Sequence, residues 1–153
     1  MKEYIRWPLV VLVVLLLALL FHWAKAMDLK EVVRVFDGDT IEIFGGDRIR
    51  LIGVDAPEIE SRYGQAEPFG NKSRRYLKQM IGGEKVRLVS GPQARDKYGR
   101  RLCYVYLDDT LVNGRIIQDG WARAYTRFSF RYRELFVSYE KKARAQGKGM
   151  WKE

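Results

Sequence analysis

Four carboxylates stand where strand-like stretches of this sequence stop. Asp37-Gly38-Asp39-Thr40 is one turn signal, and Asp55-Ala56-Pro57-Glu58 is another, with Arg50 five residues ahead of Asp55. A third polar group, Asp96-Lys97-Tyr98-Gly99-Arg100, precedes the apolar stretch 101–107. Carboxylates drawn together repel one another unless a cation sits among them, and hard oxygen donors select Ca²⁺ or Mg²⁺. Two guanidiniums beside such a cation suit one task, gripping a phosphodiester as it gains negative charge. The plainer alternative is a set of unrelated surface turns, since Asp and Gly are ordinary turn residues, with Arg50 a solvated strand arginine. Spacing alone leaves both open.

Composition narrows the chemistry. The chain of 153 residues holds one histidine, His22, within an apolar N-terminal run, and one cysteine, Cys103. A lone cysteine excludes an intrachain disulfide and a Cys-rich zinc site. With no histidine elsewhere, a zinc nuclease is excluded, and any proton transfer to or from water falls to a carboxylate. Lys and Arg number 28 against 19 Asp and Glu, a net charge of +9. Setting aside residues 1–26 leaves 25 basic and 18 acidic residues, a surplus of 7 that either draws a polyanion or is simply solvated. Asp37-Gly38-Asp39 in isolation suggests an Asp-x-Asp phosphatase, but that chemistry wants a larger parallel α/β sheet than the remaining length can build. The length allows one ordinary domain, and 13% aromatic residues support a packed core for it.

The elements that position these residues follow from periodicity. Residues 1–6 carry Lys2 and Arg6, residues 8–21 run without a charge, and Ala24-Lys25-Ala26 follows. That order is a basic start, an apolar run and a small-x-small cleavage signal. The run is short against the ~20 residues of a membrane span, although Trp7, His22 and Trp23 extend it, with Trp at each end as at a membrane interface. Residues 1–26 are therefore expected to be a signal peptide cleaved near Ala26, or a retained signal anchor touching the membrane through residues 7–23. Either way, residues 27–153 form an exported domain: secreted or periplasmic after cleavage, outward-facing if anchored.

Within that domain, 31–36, 40–44 and 48–54 alternate as a three-strand meander. The spacing predicts a helix over 67–81, ended by Gly82-Gly83, and a strand over 84–90, broken at Gly91-Pro92. A strand over 101–107 and a short helix over 111–118 follow. A helix over 132–145 carries Leu135, Phe136, Tyr139 and Ala143 as its apolar stripe. Cys103 is expected to be a buried strand residue. The expected fold class is α+β, mainly β: five short strands on a barrel-like sheet with about three helices, preceded by an N-terminal apolar helix.

Taken in chain order, Asp37-Gly38-Asp39-Thr40, then Arg50-Leu51-Ile52-Gly53-Val54-Asp55-Ala56-Pro57-Glu58, then Asp96-Lys97-Tyr98-Gly99-Arg100 resemble the three signature segments of the staphylococcal nuclease (thermonuclease) family. Val112-Asn113, Gly120-Trp121-Ala122 and Gly149-Met150-Trp151 match its pattern as well, so the similarity runs from Val32 to Trp151. The resemblance implies a five-stranded OB-fold barrel with three helices. It implies Ca²⁺-dependent hydrolysis of DNA and RNA at the P–O5′ bond, leaving 3′-phosphates.

By motif position, the resemblance makes Asp39 and Asp55 the Ca²⁺ carboxylates and Ala56 a ligand through its backbone carbonyl. The family often has Thr at that position, but a carbonyl ligand does not depend on the side chain. Asp37 would reach the ion through water. Glu58 would activate or orient the attacking water, Arg50 and Arg100 would clamp the phosphate, and Lys97 and Tyr98 would contact a terminal phosphate. Two family tyrosines follow the Gly-Trp-Ala segment; here Tyr125 alone stands near that place. An OB barrel with exposed tyrosines suits unstacked single strands, and the domain is expected to act as a monomer. The alternative is a non-catalytic OB-fold module that binds nucleic acid at the cell surface.

Overall fold

The computed structural model describes residues 6–26, 29–59 and 66–152. The basic start at residues 1–5 and residues 27–28, beside the expected cleavage point, lie outside the described residues, as do 60–65 and 153. The first element is helix α1, Arg6–Ala26. Its described side chains, 7–20, are exposed all round, and none of them is charged. Among the described residues no helix is long and apolar enough to cross a membrane.

The strands are β1 Leu29–Val35, β2 Thr40–Ile43, β3 Arg48–Leu51, β4 Val54–Asp55, β5 Lys85–Arg95, β6 Arg101–Leu107, β7 Thr110–Leu111 and β8 Arg123–Ala124. Helix α2, Gly70–Ile81, lies between β4 and β5; α3, Val112–Gln118, follows β7; α4, Arg133–Ala145, precedes a 3₁₀ turn at Gly149–Trp151. The main sheet runs β3-β2-β1-β5-β6-β7, mostly antiparallel, and β3 also pairs with β6 in parallel. That pairing closes β1, β2, β3, β6 and β5 into a ring, and the α+β expectation holds. Strand alternation sends Ile41, Ile43, Ile49 and Leu51 into the ring. There they meet Val32, Val86 and Val105, with Leu77 and Ile81 from α2, Ile116 and Ile117 from α3, and Phe136 from α4. Arg48 and Arg50 alternate to the opposite face of β3.

Two boundaries and one apolar stripe differ from expectation. Gly91-Pro92 does not end its strand, and β5 runs on to Arg95. The ladder to β6 shifts register between Ser90 and Arg95, and such an irregularity tolerates a proline that has no N–H to give. Helix α2 begins at Gly70, not 67, because Phe69 is held left-handed at φ 71°. Gly70 there backs onto the Glu58 carbonyl, 2.5 Å from where a Cβ would sit, so only glycine fits that approach. In α4, Phe136 and Ala143 are buried, but Leu135 is 40% exposed and leaves the stripe.

Cys103 is fully buried on β6, as expected of it. Beside it, Asn113 pegs α3 to the ring. Its Oδ1 accepts the Val105 N–H at 2.8 Å, and its Nδ2 donates to the Ile52 and Cys103 carbonyls. One side chain thus ties three backbone groups at the end of β3 and along β6 to α3.

Candidate active site

The loop between β1 and β2 turns on Asp37, whose Oδ1 accepts the Asp39 N–H at 2.8 Å. Gly38 lets that loop lie flat on α2: a Cβ there would sit 1.9 Å from Ser73 Oγ and 2.6 Å from Ala56 Cβ. The Ser73 hydroxyl is itself committed, donating to the Trp121 carbonyl at 2.7 Å, so it cannot swing away freely. Gly38→Ala is therefore expected to cost about 1–3 kcal/mol of stability through overpacking and to lower activity with it. Urea unfolding checks the first effect; an unchanged midpoint would contradict it.

The turn directs Asp39 inward, leaving it 5% exposed. Its Oδ2 accepts the Ala56 N–H at 3.0 Å and faces Arg50 Nη2, also at 3.0 Å. Its Oδ1 accepts the Thr40 hydroxyl at 3.0 Å. The two acidic motifs therefore meet at the Asp39–Ala56 contact. Arg50 lies opposite Thr40 in the β2–β3 ladder, and its Nη1 donates to the Val54 and Leu51 carbonyls at 2.7 and 3.2 Å.

Arg100 reaches the same place from the other side of the ring closure. Its Nη1 donates to Thr40 Oγ1 at 3.3 Å, and its Nε to Asp96 Oδ2 at 2.8 Å. Thr40 Oγ1 thus receives from one guanidinium and donates to the carboxylate that the other guanidinium pairs with. Asp96 organises the loop, its Oδ1 accepting the N–H groups of Tyr98 and Arg100. Asp47, in the turn between β2 and β3, holds the flanks of that loop through Arg95 and Arg101.

These surroundings move the acids apart. Burial pushes the Asp39 carboxyl up to about 8, with Arg50 pulling it down and Asp37 adding to the rise. Glu58 is raised too, first by partial burial and then by the charge of Asp37, against the pull of Arg50. Glu58 sits exposed at the rim, where Asp37, Glu67 and Asp55 crowd it with like charge. Burial would raise Asp96, but the guanidinium of Arg100 and two backbone N–H groups outweigh it and hold the group low.

Among the described residues no three acidic side chains form a ready metal cage. What the structure offers is a buried carboxylate, Asp39, with a second carboxylate beside it and one paired guanidinium. Asp55 is half-buried, and its carboxylate has no hydrogen-bond partner among the described residues. These oxygens fit a hard divalent ion whose shell is completed by a backbone carbonyl, water and substrate, since such ions keep several non-protein oxygens.

Lys97 and Tyr98 lie beside Arg100: Lys97 Nζ is 5.0 Å and the Arg100 guanidinium 5.4 Å from the centre of the Tyr98 ring, which is 57% exposed. Tyr125 stands apart, its N–H on the Gly53 carbonyl and its ring 6.0 Å from Phe128, which is exposed. Sequence reasoning missed Thr40 as a connector, Asp96 as the organiser of its loop, and Phe128 as a second ring. For Asp96 a signal existed: an aspartate two residues before Tyr98 and four before Arg100 is the pattern of a side chain capping its own turn. Thr40 and Phe128 gave no such sign.

Residues 48–153 match the family described as staphylococcal nuclease homologue. The thermonuclease of Staphylococcus intermedius is 38% identical over 124 residues, covering 78% of this chain and 74% of that protein. This chain belongs to the staphylococcal nuclease family. The thermonuclease of Staphylococcus hyicus is 34% identical over 125 residues, 79% of this chain and 74% of its own length. The micrococcal nuclease of Shigella flexneri is 33% identical over 133 residues, 79% and 72% of the two chains.

Membership makes the chain a nuclease, a hydrolase acting on phosphodiester bonds, and its mostly antiparallel α+β sheet is of that family's OB-type fold. The family match opens at β3 and so contains Arg50, Asp55, Glu58 and Arg100 of this nuclease. Asp37 and Asp39 lie ahead of it, joined to the matched part by the Asp39 contacts with Arg50 and Ala56.

Proposed function

We propose that this nuclease hydrolyses DNA and RNA with Ca²⁺, prefers single strands, and leaves 3′-phosphates. The observation that carries this reading is the chain Arg50–Asp39–Thr40–Arg100. Two guanidiniums are anchored to one buried carboxylate, directly at 3.0 Å and through a hydroxyl. Donors fixed before substrate arrives stabilise developing charge at phosphorus without reorganising. Glu58 takes or directs the proton of the attacking water, since the described domain holds no histidine and a raised carboxyl is a better acceptor near neutral pH.

Asp39, Asp55 and the Ala56 carbonyl would hold the ion, with Asp37 reaching it through water. When bound, Ca²⁺ supplies charge neutralisation at the phosphate oxygens. Lys97 and Tyr98 receive a terminal phosphate beside Arg100. Tyr125, with Phe128 next to it, offers ring faces to an unstacked base.

Residues 1–26 act as an export signal, cleaved near Ala26 or kept as an anchor, and the domain works as a monomer outside the cytoplasm. The basic start and apolar run of the sequence support this, and the mass of the exported protein tests it.

A labelled single-stranded oligonucleotide is the direct test of the activity. It should be cut to 3′-phosphate ends with Ca²⁺ and left whole with chelator; retardation without cutting in both would leave only a binding module. The titration of Asp39 adds a second expectation. Asp39 must lose its proton to hold an ion, so Ca²⁺ affinity should be at least about tenfold higher at pH 9 than at pH 6 for a carboxyl near 8. Without the ion the sign reverses for folding. The unfolded carboxyl ionises near 3.8 and the folded one near 8, so stability is full below the lower value and is lost as pH rises through the upper one. Asp39→Asn should weaken Ca²⁺ binding and flatten both dependences, as read by calorimetry and thermal melts; equal titrations of the two proteins would contradict it.

A further inference from the structure

A cavity of about 300 Å³ opens beside the site, lined by Arg34, Phe36, Asp37, Glu58, Ile59 and Arg74. It shares Asp37 and Glu58 with the catalytic group but includes neither Arg50 nor Arg100. We propose that Arg34 and Arg74 form a second phosphate clamp, which holds a single-stranded nucleic acid at the linkage next to the one cut, on the Glu58 side. The proposal rests on the nuclease reading above and adds to it where the strand leaves the site.

Both arginines are held in place without being neutralised. Arg74 is half-buried on α2, and its Nε donates to the Val35 carbonyl at 3.0 Å, which fixes the fork and leaves its outer N–H groups over. Arg34 lies with its guanidinium 4.6 Å from the centre of the Phe36 ring, and Arg48 lies at 4.6 Å from the same ring. Stacking uses the face of a guanidinium and leaves its N–H edge for an acceptor. Among the described residues neither Arg34 nor Arg74 has a carboxylate within ion-pair distance, although two carboxylates line the same cavity.

Two oriented, uncompensated forks around one small cavity match the geometry of a phosphate, which takes guanidinium two-pronged. The volume lies at the lower end for small-molecule sites and suits a phosphate with its sugar. Lys97 and Tyr98 stand beside Arg100, whereas Arg34 and Arg74 stand beside Glu58. A strand held by Arg34 and Arg74 lies against Glu58, which lines the same cavity.

The test compares wild type with Arg34→Gln/Arg74→Gln on a dinucleotide, which offers one linkage, and on a single-stranded octanucleotide. The double variant should lose about tenfold more kcat/KM on the octanucleotide than on the dinucleotide, the scale of a charge-assisted contact. Its octanucleotide affinity should lose about 0.7 of a unit from the logarithmic salt slope, the share of one single-strand phosphate. Arg34→Gln alone, on an exposed strand position, should give several-fold of the same selective loss with no change in melting temperature. Equal losses on both substrates, or none on the octanucleotide, would overturn the clamp. Should wild type cut neither substrate with Ca²⁺, the nuclease mechanism fails, and fluorescence anisotropy of the uncut octanucleotide still decides the clamp. Weaker binding by the double variant supports it, and equal affinities overturn it.

Discussion

Replacing Glu58 by glutamine is expected to lower turnover by about 10²–10⁴-fold, the range that a positioned acid–base group contributes, while oligonucleotide binding persists. The argument rests on what holds Glu58 in place. Its backbone is fixed independently of its carboxylate: the Glu58 carbonyl accepts the Glu67 N–H at 2.9 Å, and Gly70 packs against that carbonyl. The carboxylate has no hydrogen-bond partner among the described residues. Glutamine keeps the shape, so the melting temperature should hold. What disappears is one negative charge and the ability to accept a proton. Removing a charge that stands near Asp37 and Asp55 should, if anything, tighten the hold on a polyanion. Parallel cleavage and anisotropy measurements separate the two effects, and near-normal cutting by this variant would remove Glu58 from its role.

The second large effect concerns the guanidiniums. Arg50→Ala and Arg100→Ala are each expected to reduce kcat/KM by about 10²–10³, or ~2.7–4 kcal/mol, by analogy with loss of one preorganised donor. They should part company in stability. Arg50 is 3.0 Å from the buried Asp39 carboxylate, with the side chains 17% and 7% exposed, and it also ties the Leu51 and Val54 carbonyls. Its loss leaves a buried charge uncompensated, a defect of about 3–5 kcal/mol when the charge is kept. That defect belongs to high pH and should shrink as pH falls below about 8, where Asp39 takes up a proton. Arg100 is anchored to Asp96 in a loop, so its loss should spare the fold. Lysine at either position restores charge but not the fork and should recover only part of the rate. A wild-type rate in either alanine variant would exclude that residue from the site.

The sequence was most legible where polar residues interrupt alternation. Asp37 to Thr40 and Asp55 to Glu58 stand at strand ends, so their meeting could be anticipated from a meander, and the order of the three motifs carried the family. Ring closure was less visible, because the pairing of β3 with β6 joins segments between which α2 and β5 intervene. The continuation of β5 past Pro92 was hidden because a register shift absorbs what a regular ladder would refuse. Phe69 gave no sign of its left-handed backbone, which depends on Gly70 backing onto Glu58. Arg34 and Arg74 look like any arginines on a strand and a helix; only tertiary contacts bring them around one cavity. Leu135 fits a helical stripe by spacing, yet it sits at the edge of the buried arc.

The pairing of Ile49 to Leu51 with Arg101 to Cys103 is the only parallel ladder among the described residues, and Arg50 lies within it while Arg100 immediately precedes it. Contacts between distant segments are the ones a chain gains against the greatest loss of freedom. Before they form, each guanidinium belongs to its own separate hairpin, and no phosphate can be gripped from two sides. On the clamp proposed above, hydrolytic competence therefore belongs to the finished topology alone, and a half-assembled chain would grip no phosphodiester.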